Sequence, residues 1–214
     1  LYDSLYDYSK RTTLPSEYKD IPFNLYELFK NAIGKDLNRF SMPVFLNEPL
    51  SALQKLCEIF QYADLLNKAA KEEDQYMRLA YVACFGGGEF AVDPHRTKKF
   101  FNPILHETYE YVDNKLNYRF FSEQVSHHPA ISAYFAEGEG WNCFSNSKAK
   151  VNFQLLKGSM TIKNTEKTYI SFSEFNDRVY YTKPTCHVGN FLIGELMINI
   201  CDKLEVKNNE GDKC

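Results

Sequence analysis

The sequence lacks most of the features that would place it quickly. None of its six cysteines, at 57, 84, 143, 186, 201 and 214, forms a C-x-x-C pair, and their spacing is irregular, which argues against a zinc ribbon and against a disulfide framework. Reduced thiols in a cytoplasmic protein are expected. No apolar run approaches the roughly 20 residues that span a bilayer, and the opening LYDSLYDYSKRTT has no apolar signal-peptide stretch. The chain is expected to be soluble and to visit membranes only from outside. A global basic field is missing as well, because the net charge is −3; nucleic-acid binding by bulk electrostatics is therefore not expected, and any anion site must be local. GGG at 86–88 has no following G-K-[ST], so it reads as a helix terminator, not a phosphate loop. Neither repeats nor low-complexity tracts are visible. What the chain does have is 214 residues at 44% hydrophobic content, with 15 Tyr and 17 Phe against one Trp. That is enough for a real core in one domain or a closely joined pair, and for an apolar cavity wall.

Residues 1–22 are polar and turn-prone and read as an N-terminal arm. Helical signals follow over 23–90. In NLYELFKNAIG, Asn24 caps with Glu27 three residues on, and Leu25, Leu28 and Phe29 recur at helical spacing before Gly34. From Asn47, Leu50, Leu53, Cys57 and Phe60 make one stripe with a break near Gln61 to Ala63, and a third helix runs through DQYMRLAYVACF. Beyond about Ile104 the period changes to two. ETYEYV, residues 118–123, ISAYFAE, VNFQLL, SMTIKN, KTYISFSEF, RVYYTK and LIGELMINI read as strands separated by short turns. Connections this short leave no room for crossover helices, so residues 91–214 are expected to form an antiparallel meander of seven or eight strands curling toward a barrel. The fold class is α+β, helices first.

Five histidines sit at 95, 106, 127, 128 and 187. No H-x-x-x-H spacing or nearby Cys supports a metal, and Ser126–His127 is not a convincing catalytic dyad, since neighbours on a strand rarely aim at each other and no G-x-S-x-G elbow is present. No metal, cofactor or enzymatic activity is expected. The tandem pair His127–His128 is read either as two rings satisfied by tyrosine hydroxyls or as an anion receptor. The second reading gains from Pro129, which pushes His128 toward extended geometry, and from RTKKFFNPIL, which brings Arg96, Lys98 and Lys99 to an Asn-Pro turn one hairpin earlier. On spacing alone that basic stretch is equally well a solvated loop.

EQVSHHPA (123–130) resembles EQVSHHPP, the fingerprint of the oxysterol-binding-protein-related family of lipid-transfer domains; KFFNPILHETYE resembles that family's KPFNPxLGETYE, and IGKDLNRFSMPVFLNEPLSALQKLCE is similar to its lid and first helices. The resemblance runs from about Arg11 onward and includes HVGNFLIGELMINI. It implies N-terminal helices and a lid followed by a large, incomplete antiparallel barrel enclosing a lipid tunnel. It implies extraction of phosphatidylinositol 4-phosphate, and of a sterol or phosphatidylserine, with exchange of the two. The cytoplasm and the surfaces of organelle membranes or membrane contact sites are the implied location, with transient peripheral membrane contact. By resemblance Lys99, Asn102, His127 and His128 hold the head group, and Ile33, Leu37, Phe40 and Met42 form the lid over the tunnel. Three positions depart from the pattern: Phe100 for proline, His106 for glycine and Ala130 for the second proline. Family members continue past the position of Cys214 with strands and a helix that complete the head-group site, so an open sheet edge that invites a second copy is expected here. The alternative expectation is a phosphoinositide sensor that binds the head group without moving lipid.

Overall fold

A computed structural model of the chain describes residues 44, 47–91, 98–154, 158–190 and 197–214. The arm, the expected first helix and the four lid positions Ile33, Leu37, Phe40 and Met42 lie outside the described residues. So does Arg96.

Helices precede strands, with one exception. Strand β1 (Asn47–Ser51) pairs in parallel with β2 (Lys99–Phe101) in a separate two-stranded sheet that the sequence pattern did not reveal; the whole helical layer lies between them along the chain and supplies the crossover that a parallel pair requires. Leu50 therefore belongs to a strand, not to the helical stripe. Helix α1 (Ala52–Cys57) starts where it does because Ser51 and Gln54 make a capping box, each side chain taking the other's backbone N–H. Leu53, Cys57 and Phe60 remain a buried stripe, but the chain tightens into a 3-10 turn, Glu58–Tyr62, before α2 (Ala63–Ala69). The expected break near Gln61 to Ala63 is this change of pitch. Helix α3 (Gln75–Gly88) is capped by Asp74 and includes the three glycines in its last turn. Gly86 packs so closely that an added Cβ would stand 3.3 Å from both Tyr181 and Leu204.

Strands β3 (Thr108–Asp113), β4 (Tyr118–His127), β5 (Ala130–Gly138), β6 (Trp141–Ser147), β9 (Lys167–Phe172), β10 (Asp177–Thr182) and β13 (Val206–Lys207) form a seven-stranded sheet in the order β13-β10-β9-β6-β5-β4-β3. Strands β7 (Ala149–Gln154), β8 (Ser159–Asn164), β11 (Thr185–Gly189) and β12 (Met197–Cys201) form a second sheet, ordered β12-β11-β8-β7. Both are antiparallel. The expected single meander is thus divided in two, and the described residues make a large open sheet structure, not a closed barrel. Within these two sheets β6, β11 and the two-residue β13 escaped the sequence pattern. WNCFSNS and TCHVG carry Asn, Ser, Cys and His among their alternating positions, which blurs the contrast on which period-two recognition depends.

The larger sheet is covered on one face. Tyr118, Phe120, Ser122 and Gln124 of β4 point inward with Tyr134, Trp141, Ile170, Phe172, Val179 and Tyr181, all buried. Phe60 is the plug of the helical layer, with ring centroids 5.4–6.2 Å from those of Phe85, Tyr118, Phe120, Tyr134 and Trp141. Two polar pins fix the layers. Trp141 Nε1 donates to Asn67 Oδ1 at 2.7 Å, and Arg78 donates to Asp177 at 3.1 Å and to the carbonyls of Glu72 and Glu73, with its guanidinium 4.3 Å over the Phe175 ring.

The smaller sheet is amphipathic across its strands. Val151, Ile162, Cys186 and Ile200 stand directly opposite one another, with Met160, Val188 and Ile198 in the next file; directly opposed residues share a face. Asn152, Thr161, His187 and Asn199 form the intervening polar file, in which His187 Nδ1 meets Thr161 Oγ1 at 3.3 Å.

Candidate functional site: a histidine hairpin on a pinned turn

Adjacent strand residues ordinarily face opposite ways, so the useful question is how His127 and His128 come to lie together. Strand β4 carries a bulge at Val125: Gln124 pairs with Ser132, but Ser126 pairs with Ile131 and His127 with Ala130. One extra residue reverses the alternation. His127 is thereby placed on the inward face shared by Gln124 and Ser132, and Ser126 on the other, so the pair Ser126–His127 is not arranged as nucleophile and base. The hairpin closes through His128 and Pro129, joined by a cis peptide bond. The two imidazole centroids are 4.7 Å apart with planes at 66°; His127 is half-buried and His128 exposed.

Gln124 holds the bulge, a role that sequence reading missed. Its Nε2 donates to the Ser126 carbonyl at 2.9 Å and its Oε1 accepts from Ser132 Oγ at 2.5 Å, while its backbone accepts from His106 N–H at 2.9 Å and donates to Glu107 O at 3.0 Å. Its place as the next member of the alternating file Tyr118, Phe120, Ser122 was the available signal, since a polar group carried to a buried face requires partners. The same backbone contacts bring residues 103–107 against β4. Pro103 is buried, and its carbonyl lies 3.2 Å from His127 Nδ1. A carbonyl only accepts, so Nδ1 carries the proton, and Nε2 is the ring nitrogen this contact leaves unengaged.

Lys99 and Asn102 are exposed, in β2 and just after it, on the stretch that ends at Pro103. Asn47 Nδ2 holds that stretch through the Phe100 carbonyl at 3.2 Å. The structure therefore joins the Asn-Pro turn to the histidine hairpin through one hydrogen bond; no hydrogen bond links the Lys99 or Asn102 side chain directly to either imidazole. His106, which stands where the resembled motif has glycine, adopts φ 67° and sets its ring 3.1 Å from the Glu123 carboxylate. Ala130, which stands for the second proline, allows β4–β5 pairing to run to the end of the hairpin. Among the described residues no group of three or more His, Cys, Asp or Glu side chains could hold a metal ion, and no helix there is long and apolar enough to cross a membrane. All six cysteines are free, and burial pushes the Cys57 and Cys143 thiols up to about 12.

Comparison with known proteins decides the family. The family described as oxysterol-binding protein matches residues 24–214. The chain belongs to the oxysterol-binding protein family. It is 38% identical over 207 residues to human oxysterol-binding protein-related protein 3, a match covering 96% of this chain and 23% of that protein, and 37% identical over 206 residues to the rat oxysterol-binding protein-related protein 1, covering 95% and 22%. Among solved structures, the Osh1 ORD domain in complex with ergosterol superposes with a TM-score of 0.86 at 37% identity, covering 95% of this chain and 50% of that one. The Osh3 ORD in complex with PI(4)P from Saccharomyces cerevisiae superposes at 0.82 and 31%, covering 91% and 52%. The chain thus spans about half the length of these solved oxysterol-binding domains and less than a quarter of the two full-length relatives.

Proposed function

We propose that the chain binds phosphatidylinositol 4-phosphate through the His127–His128 hairpin and takes part in its extraction from membranes and exchange for a sterol or phosphatidylserine. The observation that carries this is the hydrogen bond from His127 Nδ1 to Pro103 O. With Nδ1 committed, Nε2 of a neutral ring is an acceptor and repels a phosphate; a protonated ring donates there, in a charge-assisted bond. The clamp is therefore selective for an anion, which it holds when both ring nitrogens carry protons. Lys99 and Asn102, on the turn that carries Pro103, are assigned to the head group beside the two rings. The half-open apolar file of the smaller sheet, with Val151, Ile198 and Ile200 each at least 40% exposed, supplies a wall for the lipid's apolar body. Ile33, Leu37, Phe40 and Met42 are assigned to the lid, and the location is peripheral, at the cytoplasmic surface of organelle membranes. Direct superposition on domains solved with PI(4)P and with ergosterol supports both ligand classes.

The test is calorimetry with a short-chain phosphatidylinositol 4-phosphate in two buffers of different ionisation enthalpy. Binding is expected, with the difference between the two buffers giving the proton count, because a ring that donates from both nitrogens is protonated in the complex. His127→Ala with His128→Ala should abolish the binding, each lost charged hydrogen bond costing about 1.5–3 kcal/mol. Equal affinity of the double variant and the parent would overturn the assignment. Mass spectrometry of co-purifying lipid tests extraction separately.

A further inference from the structure

The turn that holds His127 also presents an apolar surface. Residues 100–105 place four large apolar side chains within six positions, and all are open: Ile104 is 70% exposed, Leu105 47%, Phe101 42% and Phe100 38%. Single exposed apolar residues are ordinary; a contiguous run marks a contact surface. Nor is the run loose. The Ile104 N–H donates to the Glu107 carboxylate at 3.1 Å, the Glu107 N–H returns to Ile104 O at 3.1 Å, and His106 N–H is fixed to Gln124 O. Ile104 and Leu105 are therefore the tip of a pinned turn. Val125, the bulged residue beside Gln124, adds a further exposed apolar side chain.

Charge around the tip has a direction. Lys99 and His128 are exposed on its two flanks, whereas the nearby carboxylates are engaged, Glu107 by the Ile104 N–H and Glu123 by the His106 ring. Four side chains on one turn fall well short of the ~800 Å² per partner that a stable protein interface needs. A bilayer makes no such demand: a small apolar wedge with adjoining cations suffices for reversible attachment to an anionic surface.

We infer that Ile104 and Leu105, backed by Phe100 and Phe101, form an insertion wedge for a bilayer bearing anionic head groups, and that this wedge sets the His127–His128 pair at the depth of the lipid phosphates. The inference rests on the phosphoinositide reading above. One turn then does two things: its outer side chains find the membrane, and its Pro103 carbonyl orients the clamp.

The experiment is flotation with phosphatidylcholine vesicles containing phosphatidylglycerol and no phosphoinositide, run beside calorimetry with soluble short-chain phosphatidylinositol 4-phosphate. Ile104→Ser with Leu105→Ser keeps every backbone hydrogen bond of the turn. Flotation should weaken at least about tenfold, and soluble binding should be unchanged. In a Leu105→Trp variant, emission should shift to the blue on adding vesicles, against the constant signal of buried Trp141. Undiminished flotation of the double Ser variant, or no shift from the new Trp, overturns the wedge and leaves the clamp standing. Loss of soluble binding with flotation retained also overturns it, because the turn would then serve the clamp alone. A concentration-dependent dimer that the Ser pair abolishes would give the patch to a second copy and overturn it too. Failure of the parent protein to bind the soluble lipid overturns the phosphoinositide reading, while its flotation still reads the wedge.

Discussion

The two antiparallel sheets obey the same alternation, yet among the described residues only the larger has its apolar file buried beneath helices. In the seven-stranded sheet, the inward file is buried beneath Phe60 and Phe85, and the helical layer touches β3, β4, β5, β10 and β13. In the four-stranded sheet the corresponding apolar file remains half open at Val151, Ile198 and Ile200. Alternation makes a sheet amphipathic, but burial requires a second layer. Among the described residues the helices end at Gly88 and lie on the larger sheet. The histidine hairpin closes the β4–β5 end of the covered sheet, where His128, Pro129 and Ala130 are exposed.

The largest expected effect breaks the covered side. Phe60→Ala should cost about 3–5 kcal/mol in urea unfolding, whereas Ile200→Ala, on the open file, should change stability by no more than about 0.5 kcal/mol. Similar losses at both positions would erase the contrast. Next comes the pin between helix and turn. Arg78→Met leaves Asp177 buried without its partner and should cost roughly 3 kcal/mol; adding Asp177→Leu should restore part of that loss in thermal melts, and no recovery would mean that the carbonyl bonds to Glu72 and Glu73 dominate.

Thiol chemistry sharpens the same comparison. Burial holds the Cys57 and Cys143 thiols protonated, pushed up to about 12 from the ordinary 9.0. In the unfolded chain these groups ionise near 9, so their contribution is complete below that pH and is lost as pH rises toward 12. Melting temperature should therefore fall on the alkaline side, and less so in a Cys57→Ala, Cys143→Ala variant measured against its own neutral value. Alkylation mapped by mass spectrometry should find Cys84, Cys201 and Cys214 first, all exposed, then half-buried Cys186 on the open sheet, whose thiol burial also raises. Cys57 and Cys143 should react only on unfolding. Early labelling of Cys143 would show that the covered sheet opens readily. The smallest stability effect is expected for Val151→Thr with Ile200→Thr, within about 0.5 kcal/mol for each site, with a clear drop in co-purifying lipid; unchanged lipid would remove the open file from the binding wall.

Much of this was legible along the chain because the information is local. The order of helices before strands, the inward file of β4, and the tandem histidines before a proline all follow from periodicity and neighbour sterics. Residue identity within EQVSHHPA and KFFNPIL also carries the family. Other features depend on partners distant in sequence, and no local pattern records them. Asn47–Ser51 became a strand because Lys99–Phe101 lay beside it. Polar WNCFSNS became the centre of the large sheet because β5 and β9 flank it on both sides. Most consequentially, His127 faces inward because a bulge at Val125, held by buried Gln124, reverses a count that the sequence alone would run straight through. Composition and spacing determined which side chains were available; hydrogen bonds between segments remote in sequence decided where they point, because a backbone group left unpaired on burial costs more than the local preference it overrides.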